Sequence, residues 1–182
     1  YTAAHEKLST IYTFLFNSRS QVSVAYYIRK LVDVKYSEVS LPDGANVNYS
    51  KRSTLWNEVE RCEKRKDAQL AKDIVLALPK ELSLKYQVEL TKTFAHQHFV
   101  SKGLVADVAI HDHGDGNPHA HIYVTLCRLH PNGFDRYKAR DLNPGFANGK
   151  SGQGFVSEQD AFGVKWRDFQ SDYFKEHNLD IA

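Results

Sequence analysis

Methionine is absent from this 182-residue chain, even at position 1, and cysteine occurs only twice. A missing initiator points to a chain that starts inside a longer product or has lost its first residue. Two cysteines, Cys62 and Cys127, fall far apart in different expected elements. They read as reduced thiols of a cytoplasmic protein and not as a disulfide framework. No apolar run approaches the ~18 residues of a membrane-spanning helix, so no insertion is expected. The first seven residues lack the charged and then apolar regions of a secretion signal. Repeats and low-complexity tracts are missing too. Charge of one sign is also in short supply: 24 basic against 22 acidic residues leave a formal net charge of +2. That balance does not by itself announce nucleic acid. What remains, 42% hydrophobic and 25% charged, suits one globular domain with a real core.

Residues 8–16 are β-branched and aromatic and read as a first strand. A helix is expected from about residue 21 to 34, where Val24, Tyr27, Ile28 and Leu31 share a face. Tyr26 is rotated from Tyr27 by about 100°. Residues 40–53, with Pro42 and Asp43-Gly44, read as a loop, and residues 54–71 as a helix with Leu55, Val59 and Cys62 on one side. Its basic side (Arg61, Lys64, Arg65, Lys66) reads as a solvated face. Residues 73–78 form a second strong strand stopped by Pro79. Ser83 is placed to cap a helix reaching about residue 101, with Gly103 as its stop and Leu84, Val88, Thr91, Ala95 and Phe99 on its inner edge. After two strands come a loop at 130–133 and a Gly-, Asn- and basic-rich loop at 137–154. A last helix, about 158–177, carries Phe162, Trp166, Phe169 and Tyr173. This order predicts an α+β fold with an antiparallel sheet covered on one face by helices.

The two strands within residues 105–126 carry the chemistry. Alternation puts His119, His121, Tyr123 and Thr125 on one face and Ala120, Ile122, Val124 and Leu126 on the other. On the preceding strand Val105, Asp107, Ala109 and His111 oppose Leu104, Ala106, Val108 and Ile110. If 112–118 closes an antiparallel hairpin, His111 ends one strand where His119 begins the next, with Cβ atoms roughly 4.5–5.5 Å apart. Three imidazoles then converge as a metal site with open positions. His113, on the same parity in the loop, is a candidate substitute ligand. His96 and His98, two apart on a helix, point about 200° apart and cannot share an ion. Gly145 to Ser151 imitates a phosphate-binding loop, but has one residue too few between its glycines and no strand before it.

Together these features resemble the MobA/MobL-type (MobQ) plasmid relaxases of the HUH endonuclease superfamily. The signature is His-x-His on a strand, here Asn117-Pro118-His119-Ala120-His121-Ile122, with a third histidine upstream matching His111. Leu55-Trp56-Asn57, Val59-Glu60, Arg65-Lys66, Ala68-Gln69 and Leu78-Pro79 with Glu81-Leu82 are also similar to the family. Counting from the Ser-rich turn at Arg19-Ser20, the family's nucleophilic tyrosine falls on Tyr27, with Tyr26 one position away. The acid before the Leu-Pro turn matches Asp73, where the family more usually has glutamate. A family Thr-x-Arg element has one residue extra here, Thr125-Leu126-Cys127-Arg128.

The resemblance implies a relaxase domain over residues 1–182, expected to be the N-terminal part of a longer protein. Such enzymes nick one strand at a plasmid's transfer origin through a 5′-phosphotyrosyl link and later rejoin it. Tyr27 would attack, and His111, His119 and His121 would hold a divalent ion. Asp73 would serve as base or orient a ligating histidine. The expected ion is Mn²⁺ or Mg²⁺, with Zn²⁺, Co²⁺ or Ni²⁺ able to bind. Implied partners are single-stranded plasmid DNA, accessory relaxosome proteins and a type IV secretion coupling protein. The implied location is the bacterial cytoplasm, with transfer alongside the DNA strand. Basic residues of the 137–150 stretch and aromatics such as Phe134, Tyr137 and Phe146 are candidate DNA contacts. Two rivals are a rolling-circle replication initiator, whose tyrosine would follow the histidines, and a non-catalytic DNA-binding module with a structural metal.

Overall fold

The computed structural model describes residues 11–17, 34–63, 68–142 and 158–181, with the side chains of 11–17 and 158–161 left aside. Its strands are β1 (Ile11–Asn17), β2 (Val34–Ser40), β3 (Gln69–Ala77), β4 (Ala106–His111), β5 (His119–Thr125), β6 (Cys127–His130) and β7 (Gly133–Lys138). The described α-helices are α1 (Arg52–Cys62), α2 (Leu84–His98) and α3 (Glu158–Glu176). Five strands form an antiparallel sheet in the order β1-β3-β5-β4-β2. β6 and β7 pair separately as a two-stranded ribbon. This is the expected α+β class.

β4 and β5 sit beside one another near the middle of the sheet because each has a fully apolar face. Ala106, Val108, Ile110, Ala120, Ile122 and Val124 are all buried in one core with Leu90 and Phe94 of α2 and Phe162 and Trp166 of α3. Trp166 is fully buried and donates its indole N–H to the Ala77 carbonyl at 3.1 Å, which fixes α3 to β3. Among the described residues, the opposite face is covered only in part. Leu55, Trp56 and Val59 of α1 pack there against Val105, Ala109, Tyr123 and Leu129.

Five local readings need correction. β2 occupies residues where the sequence suggested only a helix end and an unassigned link. It is an edge strand whose exposed Lys35 and Ser37 interrupt any apolar run. α1 stops at Cys62, and Gln69 already belongs to β3, because Ala71 is needed in the sheet-side core. The buried stripe of α2 is Gln87, Leu90, Thr91, Phe94 and Ala95, which turns Leu84 outward. Ser83 occupies the N-cap position of α2 but makes no side-chain cap bond. The Gln87 side-chain amide instead donates to the Pro79 carbonyl at 3.1 Å, tying the helix start to the end of β3. The 130–133 turn does form, but Gly133–Lys138 is a strand, so the loop expected from residue 137 begins later and the unassigned residues 134–136 belong to the sheet ribbon. Gly103 is left-handed as expected (φ 86°) and ends a short 3-10 turn at Val100–Lys102. Cys62 and Cys127 are free thiols. Among the described residues no helix is long and apolar enough to cross a membrane. The helix expected to carry Tyr26 and Tyr27 and the 145–151 stretch lie outside the described residues.

Candidate metal centre

The loop between β4 and β5 is built to close this hairpin. The Asp112 carboxylate accepts the Gly114 amide at 2.8 Å, and the Asp115 carboxylate accepts the Asn117 amide at 3.0 Å. Two Asx turns in succession therefore replace a ladder that the loop cannot form. Gly114 and Gly116 supply the positive φ angles (76° and 79°) that these turns require. The Pro118 carbonyl then accepts the Leu78 amide at 3.0 Å, which locks the start of β5 against the end of β3.

The resulting register places His111 opposite His119 and Ala109 opposite His121. The three imidazoles share one face and form a nearly equilateral triangle. Ring centres are 5.5 Å apart for His111–His119, 5.3 Å for His111–His121 and 5.4 Å for His119–His121. Imidazoles bound to one ion through ~2.1 Å nitrogen contacts have centres roughly 5 Å apart, so the triangle has the right size. Among the described residues, no three His, Cys, Asp or Glu side chains already point their donors at a single position. The chemistry of the donor set nevertheless fits an ion. His119 Nδ1 lies 3.0 Å from the Asn117 carbonyl, and His121 Nδ1 lies 3.2 Å from both oxygens of Asp73. Each partner is an acceptor, so each Nδ1 carries the proton and each Nε2 keeps its lone pair. That is the tautomer a ligating histidine needs.

Asp73 reaches this position from β3, where it pairs with Tyr123 of β5. Its side chain is only 5% exposed, so its carboxylate is committed to His121 and not to water. Tyr123 stacks almost parallel to His121 (12°) on the same face. His111 is buried, while His119 and His121 are partly exposed. β2 bulges between Val34 and Tyr36 directly beside His111, so the edge strand gives way where the site begins. His113 stays in the loop, its ring 6.0 Å from that of His119. His98 is packed among Phe94, Phe99 and Phe169, and His96 is exposed on α2, so the two do not meet.

The half of this face away from the histidines holds a network the sequence reading missed. Asp107 is fully buried; its carboxylate accepts Arg52 Nε at 2.7 Å and Trp56 Nε1 at 2.9 Å. Burial raises its pKa above the ordinary aspartate value, and the opposing pull of Arg52 and Trp56 does not cancel it. Arg52 also reaches Ser37 of β2 and the Val108 carbonyl, so α1, β2 and β4 are clamped together. Asp107 lies on the histidine parity of β4, which was a usable signal. Its partner Arg52 precedes the expected helix start, which hid it.

Comparison with known proteins follows the same lines. Residues 11–179 match the MobA/MobL family. A conjugal transfer protein TraA of Agrobacterium fabrum is 47% identical over 84 residues, 46% of this chain and 8% of that protein. A mobilization protein MobL of Acidithiobacillus ferridurans is 32% identical over 136 residues, 61% of this chain and 35% of that protein. This chain thus spans a small part of the length of the curated relatives it matches. Among solved structures it resembles one described as "Molecular Basis of Vancomycin Resistance Transfer in Staphylococcus aureus". The TM-score is 0.63 at 28% identity, over 82% of this chain and 74% of the other.

Proposed function

The chain belongs to the MobA/MobL family, and from that premise we propose that it nicks and rejoins one strand of plasmid DNA at a transfer origin. The observation that carries the reading is the His111–His119–His121 triangle with Asp73 seated behind His121. These three histidines would hold a divalent ion, Mn²⁺ or Mg²⁺ in use, with Zn²⁺, Co²⁺ or Ni²⁺ also able to bind. Bound there, the ion supplies Lewis-acid neutralisation of a phosphodiester's negative charge.

Each residue then has a separate task. Tyr27 supplies the nucleophile: its phenolic oxygen bonds to phosphorus as the bond to the 3′-oxygen breaks. The DNA keeps a free 3′-hydroxyl and the protein holds the 5′-phosphate. The phosphodiester's energy is conserved in the new ester, so attack by the 3′-hydroxyl restores the strand and frees the tyrosine. With both Asp73 oxygens turned to His121, Asp73 acts as an orienting acceptor and the phenol's proton leaves to solvent. His119 is held in the same tautomer by a backbone carbonyl, so neither orientation depends on DNA being present. The strand arrives as single-stranded plasmid DNA. Relaxosome accessory proteins and a secretion coupling protein are its expected partners in the cytoplasm.

A labelled single strand carrying the transfer origin tests this reading. Cleavage should appear with Mn²⁺ or Mg²⁺, stop with a chelator, and fall below detection in His119→Ala. Cleavage that persists at full rate in chelator would overturn it.

A further inference from the structure

The β6–β7 ribbon lies at the end of the sheet away from the histidines. Leu129 N–H donates to the Gly103 carbonyl at 2.8 Å, ahead of the start of β4, and Lys138 Nζ to the Gln69 carbonyl at 2.9 Å, at the start of β3. β4 and β3 reach the site at their other ends. Cys127 lies six positions beyond His121, so ribbon and site are roughly 20 Å apart at ~3.3 Å per strand residue.

The ribbon's two aromatic residues have different fates. Phe134 turns inward, 5.7 Å edge-on to Tyr49 and packed on the α1 cluster. Tyr137 points the other way and is 75% exposed, among the most exposed large hydrophobic side chains described. The Arg136 guanidinium lies 5.6 Å from its ring centre, which leaves most of the ring accessible. Among the described residues the charge around it is mainly basic. Asp141 is paired with Arg128 at 2.5 Å, and Asp135 lies 3.1 Å from His130, which balances its charge only when protonated. Arg136, Arg140 and Lys102, all exposed, outnumber that one carboxylate. An uncovered ring, a cation held against it and flanking basic residues form a surface for an anionic polymer with stacking faces. A base pair hides its faces in the duplex stack, so the ring selects unpaired bases.

We propose that the outer face of the β6–β7 ribbon, centred on Tyr137 and Arg136, binds single-stranded DNA at a point separate from the nicking site. The role rests on the nicking reading only for its purpose: it grips the strand about six stacked nucleotides (~3.4 Å each) from the scissile phosphate. Phe134 anchors the ribbon from within and makes no DNA contact.

The test uses fluorescent oligo-dT of ~20 and ~6 nucleotides and a ~20-base-pair duplex, with binding read by anisotropy across a salt series. Tyr137→Ala should weaken the long single strand roughly tenfold, the size of one lost stack, and Tyr137→Phe should restore it. Arg136→Gln should reduce the salt slope by about one. Duplex affinity should not change in Tyr137→Ala. Unchanged binding of the long strand in Tyr137→Ala, or an equal loss on duplex, overturns the proposal. Covalent adduct formation with a transfer-origin strand, measured in parallel on the wild type, separates the two readings. An adduct alongside an unaffected Tyr137→Ala condemns only the surface. A ribbon-dependent affinity with no adduct condemns only the nicking assignment.

Discussion

The two faces of the β4–β5 hairpin are made from the same twelve or so residues and do opposite work. One face is apolar throughout and buried beneath α2 and α3. The other carries Asp107, His111, His119, His121 and Tyr123, and among the described residues its packing with the α1 cluster reaches Ala109, opposite His121, and goes no further toward His111 and His119. Strand alternation lets a single segment serve both, since neighbouring residues never compete for the same side. Stability and chemistry should therefore be separable by substitution, and that separability is the property to attack.

The largest effect should come from the apolar side. Trp166→Ala removes a fully buried indole and its bond to Ala77, and should cost about 3–5 kcal/mol in chemical denaturation. Metal affinity of the molecules still folded should be unchanged. A parallel loss of affinity would break the division between faces. From the other side, His119→Ala should lower Mn²⁺ affinity by at least about a hundredfold in calorimetry, beyond the ~10–100-fold typical of an outer partner. It should shift stability by no more than about 0.5 kcal/mol, because the ring is partly exposed and holds only one backbone carbonyl. Asp73→Asn should give the intermediate result, a roughly tenfold loss of metal affinity with the site still assembled, because the amide can still accept from His121.

The smallest effect sharpens the apolar side alone. Burial among aromatic rings, with Lys102 and Lys165 nearby, lowers the His98 pKa from 6.5 to about 4. The folded form therefore binds its proton less readily than the unfolded chain. Its stabilising contribution is complete above the unfolded value and is lost as pH falls from about 6.5 through 4. By pH ~5.5 this should amount to about 1 kcal/mol, and His98→Phe should remove that part of the acid slope while leaving metal affinity at neutral pH unaltered.

The hairpin was legible in the sequence because its signal is local. Parity alone assigns faces to His111, His119 and His121, and Asp112 and Asp115 mark the turn that sets the register. Asp73 was legible only through the family resemblance, since its partner His121 is 48 residues away and belongs to another strand. β2 was not legible. Its residues alternate too weakly for an edge strand to be told from a link, and its pairing with β4 is a long-range fact. The ribbon failed for a similar reason: Gly133 to Lys138 show no apolar alternation, and pairing with β6, Phe134 on Tyr49 and Lys138 on the Gln69 carbonyl hold them in place, all of them contacts that local sequence does not reveal. The end of α1 was overrun because helical periodicity continues past Cys62, while the sheet claims Ala71. Arg128 illustrates the limit of motif counting. One residue beyond the family spacing, it lies on the ribbon, bonded to the Lys102 carbonyl and Asp141.

The proposed nicking chemistry requires a tyrosine distant in sequence to complete the histidine face. Mass spectrometry of the protein digested after reaction with a transfer-origin strand and Mn²⁺ tests it most directly. The expected product is an oligonucleotide 5′-phosphate esterified to Tyr27, absent in Tyr27→Phe and in chelator. A 5′-phosphate found on Tyr26, or no covalent product while the strand is cut, would contradict it.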